Sequence, residues 1–285
     1  MESIQRSAHA KINLTLDVTG KLPNGYHTVR MVMQTVELHD DVTVTKTDTG
    51  RITLSCDRAY VPTDGHNLAV RAAEQFFTAT GTACAGLHID LVKRIPVAAG
   101  LAGGSTNAAA VLHALNELYQ TGCTLDELCE IGVKLGADVP YCVRGGSMLA
   151  EGIGEQLTPL PAMPPCWAVL CKPAFSVSTA EVYAQMNGGN LSMRPDTAGM
   201  IKALETGDYD GICHRLYNVM ETVTARRHAE IGQIKDILLS CGADGAVMSG
   251  SGPTTFGLFC DADKAQRAYE ALKQMFPETH LTQLK

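Results

Sequence analysis

Much is absent from this 285-residue chain, and each absence excludes something. No run of 18 apolar residues occurs, so no membrane-spanning helix is expected. The first residues, Met1 to Arg6, carry no apolar signal core and none of the Ser/Arg-rich look of a transit peptide. Positive charge is in deficit: 23 Lys and Arg against 30 Asp and Glu give a net charge of -7. That balance excludes a general nucleic-acid surface, though a local basic pocket is compatible with it. Ten cysteines are scattered from Cys56 to Cys260 without a C-x-x-C pair or zinc spacing. They read as reduced thiols, mostly small core residues, in a cytoplasmic protein. Internal repeats and low-complexity tracts are missing too. Apolar residues reach 45%, enough for an ordinary core, and the length suits one large or two modest domains.

What is present centres on one stretch: Arg94-Ile95-Pro96-Val97-Ala98-Ala99-Gly100-Leu101-Ala102-Gly103-Gly104-Ser105-Thr106-Asn107-Ala108. A strand-like run, 87 to 92, enters it, and a helix-like run leaves it, spanning about 104 to 120. Small residues let a ligand approach the backbone closely. A helix that starts near Gly103 or Gly104 offers unpartnered N–H groups and the positive end of its dipole to an anion, commonly a phosphate. The plainer alternative is a simple strand–turn–helix link. No Gly-Lys-Ser/Thr ending is present, so the Walker pattern fails, and G-x-G-x-x-G is not met.

Elsewhere the chain alternates secondary structure. Residues 7 to 18 put Ile12, Leu14, Leu16 and Val18 on one strand face and Lys11, Asn13, Thr15 and Asp17 on the other. Lys11 and Asn13 can point at one ligand, or the polar face is simply solvated. Gly20 to Gly25 is a turn that delivers Tyr26 and His27, residues able to stack on and bond a flat ring, or merely to pack. Strands are expected at 28–38, 41–47 and 51–55, and a helix at 67–78. Thr124 and Glu127 form a capping box for a helix over 125–135. Asp138 follows in a turn of small residues that Pro140 keeps from continuing as helix; it is either an N-cap or a catalytic carboxylate. Residues 145–152 enter a hairpin. Four prolines between 159 and 165 mark a boundary between domains 1–160 and 161–285. Beyond it come a strand at 167–171, a helix start at Ser178-Thr179, a flexible loop at 187–195, and helices at 197–205, 208–223 and 228–240. Strands follow at 246–248, 254–260 and 279–284, a glycine loop at 249–253, and a helix at 262–275.

The loop at 96–106 resembles the ATP loop of the GHMP kinases, and the order of an early motif, this loop and a late glycine loop is theirs. Ala10-Lys11-Ile12-Asn13-Leu14, Asn24-Gly25-Tyr26-His27 and Gly136-Ala137-Asp138-Val139-Pro140 are similar to one branch. Its members phosphorylate 4-diphosphocytidyl-2-C-methyl-D-erythritol in non-mevalonate isoprenoid biosynthesis. The resemblance implies an α+β fold of two domains, with the site in the cleft between them. The N-terminal domain would be ribosomal protein S5 domain 2-like and ATP-binding, and the C-terminal one ferredoxin-like. It implies Asp138 as catalytic base and Lys11 as the active-site cation. It implies ATP at Pro96, Val97, Ala98, Ala99, Gly100, Leu101, Ala102, Gly103, Gly104, Ser105 and Thr106, with Ser105 near the Mg²⁺-bound phosphates. For the cytidine-diphospho-methylerythritol substrate it implies Tyr26 stacking on cytosine, His27 bonding it, Asn13 on the methylerythritol, and Ser178, Thr179 and Tyr183 closing over it. Tyr183 would lie opposite Tyr26, and Gly250 to Thr254 would complete the wall. Other partners implied are none beyond ATP, with the protein a monomer or homodimer. A homoserine- or mevalonate-type kinase, or a non-catalytic ATP-binding protein, is the alternative. Ala98 and Ala99 stand where the family usually has glycine, so any φ > 0 there is strained.

Overall fold

A computed structural model describes residues 2–186 and 193–285. The loop expected at 187–195 therefore lies largely outside the described residues. The chain separates into two compact units. One comprises Met1–Ala10, His39–Val97 and Ala102–Gly145; the other comprises Lys11–Leu38, Ala98–Leu101 and Gly146–Lys285. Two long strands, β1 (Ser3–Lys21) and β2 (His27–Lys46), contribute residues to both.

In the first unit, β3 (Ile52–Cys56) is followed by α1 (Leu68–Thr80), β4 (Leu87–Val92), α2 (Gly103–Leu118), α3 (Leu125–Val133) and α4 (Val139–Arg144). β4 is central: β3 joins it in parallel, Ile52 opposite Leu87, and the end of β2 joins it antiparallel, Asp41 opposite Val92. The helices cover Val42, Val44, Ile89 and Leu91 with Phe76, Leu112 and Leu115, all buried. Alanines at 108, 109, 110 and 114 keep α2 thin enough to pack closely on α1. α1 is capped by Asn67, whose side chain accepts from Ala69 N–H, and closed by a left-handed Gly81. The capping box of α3 forms as the sequence predicts, with Thr124 and Glu127 bonded reciprocally.

In the second unit, β5 (Ser147–Glu151) and β6 (Gln156–Pro159) form a hairpin, and β5 pairs with β2 from Met31–Ala150 to Gln34–Ser147. Then come β7 (Trp167–Lys172), α5 (Thr179–Met186), α6 (Thr197–Thr206), α7 (Tyr209–His214), β8 (Tyr217–Asn218), α8 (Glu221–Thr224), α9 (Ala229–Ser240), β9 (Gly245–Met248), β10 (Thr255–Phe259), α10 (Ala262–Met275) and β11 (Glu278–Gln283). The last strands make an antiparallel sheet in the order β11-β7-β10-β9, with α9 and α10 packed on it. That order, with helical crossovers before β9 and before β11, is the ferredoxin-like arrangement. Its core joins Val169, Cys171 and Phe259 to Ile234, Leu238 and Leu272. All ten cysteines are free; burial raises the Cys171 thiol to about 11.

The structure corrects four expectations. The strands expected at 28–38 and 41–47 are one: β2 runs on through residues 39 and 40, where Asp40 is buried and its carboxylate accepts the N–H groups of Arg94 and Ile95. The polar face of β1 is not solvated: Lys11, Asn13 and Thr15 are as buried as the apolar face. The helix over 208–223 is α7, β8 and α8, since Arg215 ends α7 and Tyr217-Asn218 pair with Thr15-Leu16. Pro140 does not merely end a helix; it sits in the first turn of α4, where its missing N–H costs nothing.

Candidate active site

The glycine-rich stretch begins where β4 ends. Ala98 takes φ 52 and Gly100 φ 75, and Ala102 takes φ 59 as the N-cap of α2. The strain foreseen at Ala98 is present, Ala99 escapes it, and Ala102 carries it unexpectedly. Gly100 is obligatory by space as well: a Cβ there would sit 2.2 Å from the Ser249 carbonyl oxygen. α2 has no side-chain cap, because Ala102 has no oxygen to offer. Its first N–H groups thus remain available to an anion, which fits the phosphate cradle. Thr106 turns its hydroxyl back onto the Gly103 carbonyl at 2.9 Å, whereas the Ser105 hydroxyl makes no hydrogen bond among the described residues.

In the second unit, Lys11 is 4% exposed. Its Nζ donates to Asn13 Oδ1 at 2.7 Å, and no carboxylate lies within 4.0 Å of it among the described residues. A buried ammonium without a counter-charge is costly and invites an anionic ligand. Its backbone is fixed too: Lys11 N–H donates to the Leu101 carbonyl at 3.2 Å. Asn13 N–H donates to Ser249 Oγ at 3.3 Å, and the Ser249 hydroxyl donates to the Gly100 carbonyl at 3.0 Å. A Cβ on Gly250 would lie 3.5 Å from Lys11 Nζ, so the late loop leaves the ammonium room. Lys11, Asn13, Gly100 and Leu101 are therefore assembled, with Ser249 joining them. Asn218 fixes the same late loop by donating to the Met248 and Gly250 carbonyls at 2.7 and 2.8 Å. The sequence singles out the glycines here but not these two polar residues; the only signal was a serine beside a glycine loop.

The aromatic pieces are arranged differently from expectation. Tyr26 leaves its turn 59% exposed, its N–H held by Asn24 Oδ1 at 3.1 Å. Tyr183 faces His27, not Tyr26: the two rings stack at 4.6 Å and 12°. Thr179 Oγ1 lies 2.8 Å from Ser251 Oγ, which ties the start of α5 to the late loop, and Ser178 Oγ accepts the Glu181 N–H at 3.4 Å.

In the first unit, Asp138 occupies the N-cap position of α4 but makes no capping hydrogen bond. Its carboxylate has no hydrogen-bond or ion-pair partner among the described residues, so it is free to accept a proton. Pro96 and Val97 lead from a loop entry fixed by surface charge, where Arg94 donates to Asp41 at 2.7 Å and holds that carboxyl below its usual range. Among the described residues no cluster of three His, Cys, Asp or Glu could hold a metal ion, and no helix is long and apolar enough to cross a membrane.

Family models for the GHMP kinase N-terminal and C-terminal domains match residues 67–146 and 200–278. The chain is 46% identical to the 4-diphosphocytidyl-2-C-methyl-D-erythritol kinase of Alkaliphilus metalliredigens, over 99% of this chain and 97% of that protein. It is 48% identical to the enzyme of that name from Exiguobacterium sibiricum, over 97% and 96%. The chain belongs to this family of GHMP kinases. A crystal structure of a 4-(cytidine 5'-diphospho)-2C-methyl-D-erythritol kinase superposes on this GHMP kinase with a TM-score of 0.83 at 34% identity, covering 99% of each chain. A homoserine kinase from Cytophaga hutchinsonii shares the fold, with a TM-score of 0.79 at 19% identity over 100% of this chain and 95% of that one. The α+β GHMP kinase fold read from the sequence is therefore the fold of this chain.

Proposed function

We propose that this protein transfers the γ-phosphoryl group of ATP to the 2-hydroxyl of 4-diphosphocytidyl-2-C-methyl-D-erythritol, in non-mevalonate isoprenoid biosynthesis. The observation that carries the reading is near full-length identity of 46–48% to curated relatives that bear this activity in their names. The separate domains are taken as 1–160 for ATP binding and 161–285 for the C-terminal domain. Ten free thiols support a reducing, cytoplasmic setting.

Phosphoryl transfer asks the protein for position and charge rather than covalent chemistry. Residues 96–106 bind the nucleotide phosphates through backbone N–H groups and the uncapped start of α2. Lys11, oriented by Asn13 and without a carboxylate partner among the described residues, supplies positive charge to phosphate oxygens. Asp138, free of the cap role its position offers, takes the proton of the acceptor hydroxyl. Mg²⁺ would neutralise phosphate charge when bound, and the unengaged Ser105 hydroxyl is the group here suited to hold it. Tyr26 stacks on the cytosine, His27 bonds its edge, Asn13 contacts the methylerythritol, and Ser178, Thr179 and Tyr183 close over it. The Gly250–Thr254 segment walls the site.

The test is ADP release in a coupled assay with Mg-ATP and a panel of acceptors: the cytidine compound, mevalonate, homoserine and galactose. Release with the cytidine compound alone is the expected result. Release with another acceptor removes the substrate roles of Tyr26 and His27 and keeps Lys11 and Asp138. Silence from folded protein that still binds ATP leaves a binding protein.

A further inference from the structure

Asp40 is 0% exposed within β2, and its carboxylate is saturated by four donors. Oδ1 accepts the backbone N–H groups of Arg94 and Ile95 at 2.7 and 2.8 Å. Oδ2 accepts Asn107 Nδ2 at 2.9 Å and the ammonium of Lys93, itself 5% exposed. Lys93 Nζ closes the ring by donating to Asn107 Oδ1 at 2.9 Å. Every partner lies between residues 93 and 107. Arg94 and Ile95 are where the glycine-rich stretch begins; Asn107 is one turn into the helix that ends it. Between them, Gly103 packs onto the same cluster: a Cβ there would lie 3.1 Å from Ile95 Cγ2 and 3.3 Å from Lys93 Nζ.

A buried ion pair is poor evidence of stabilisation, because apolar residues of the same volume fill such a space as well or better. What this one does that apolar residues cannot is hold two N–H groups of the loop entry and an amide of α2 at hydrogen-bonding distance from one carboxylate. The direction of the first N–H groups of α2 is thereby set before a nucleotide arrives. We propose that Asp40 is a positioning residue for nucleotide binding, acting through Lys93, Asn107 and the backbone of Arg94 and Ile95 without touching the ligand. The inference rests on the reading that 96–106 bind ATP. Its loss weakens ATP and spares the acceptor, since no partner of Asp40 belongs to the residues assigned to the acceptor.

The experiment is calorimetric titration of ATP into the full chain, with steady-state kinetics and thermal unfolding in parallel, for the parent, Asp40→Asn and Asn107→Ala. Asp40→Asn should raise the Kd for ATP at least tenfold while the KM for the cytidine substrate stays within about twofold. Asn107→Ala keeps the Asp40–Lys93 pair and should raise that Kd about threefold to tenfold. A lowered Tm with an unchanged Kd for ATP means that the cluster only stabilises the fold, and overturns the proposal. If Asp40→Asn does not fold, Asn107→Ala decides by the same criterion. A parent that binds no ATP overturns the reading of 96–106 and the inference with it. A parent that binds ATP but phosphorylates another acceptor removes only the acceptor assignment, and the ATP criterion for Asp40 still applies.

Discussion

Two lysines of this kinase are equally buried and are treated oppositely. Lys93, in the first unit, meets the Asp40 carboxylate and the Asn107 amide oxygen, so its charge is balanced by groups built into the fold. Among the described residues, the Lys11 ammonium, in the second unit, meets only the neutral oxygen of Asn13. The same contrast holds for acids. Asp40 has four donors, whereas Asp138 declines even the cap bond its place at α4 offers. On the proposed function, the open charges are the ones that serve the reaction directly. A charge that the fold leaves unmatched costs stability, and it persists only where a ligand or a proton supplies the match.

The largest expected effect lies with the open acid. Asp138→Asn should lower kcat by about 10²–10⁴-fold, the range for a lost general base. Its Tm and its affinity for ATP should stay those of the parent, because the carboxylate bonds nothing among the described residues. Turnover like the parent's would move Asp138 to the structural class. Next comes the closed cation. Lys93→Met strands the Asp40 carboxylate in the interior and should cost about 3–5 kcal/mol of stability. Thermal unfolding reads it, and an unchanged Tm breaks the comparison outright. Lys11→Met reverses that pattern. Removing a buried cation that has no carboxylate partner among the described residues should leave Tm equal or higher, while kcat falls by about 10²–10³-fold. A Tm that drops as far as in Lys93→Met would place Lys11 among the closed charges.

How much of this contrast could be read beforehand follows from distance along the chain. The strand, loop and helix around the glycine-rich stretch were legible, because its small residues, its flanking strand and its helix are contiguous. So was the capping box of α3, a pattern confined to four residues. Lys11 and Asp138 stood out by residue type and by the motifs around them. Whether each charge is open or closed was not legible. Alternation along β1 separates two faces but cannot say that both are covered, so Lys11 and Asn13 read as a plausible solvated face. Asp40 did not stand out in the sequence, because the groups that satisfy it are 53 to 67 residues away. Ser249 reaches Gly100 across 149 residues, and a glycine loop near the C-terminus gives no hint of that bond.

The smallest effect asks whether the open region stores backbone strain alongside unmatched charge. Ala98 holds φ 52 with an exposed side chain, so nothing packs against its methyl to offset the left-handed conformation. Ala98→Gly removes the clash between Cβ and the backbone and gives back part of the gain as added freedom in the unfolded chain. The net should be a stabilisation of about 0.5–1 kcal/mol, seen as a rise in Tm of about 1–3 °C. A glycine also lets the loop leave its ATP-ready shape, so the Kd for ATP should rise slightly, by no more than about threefold. A fall in Tm would mean that the left-handed alanine is not strained, and that the open region differs from the closed one in its charges alone.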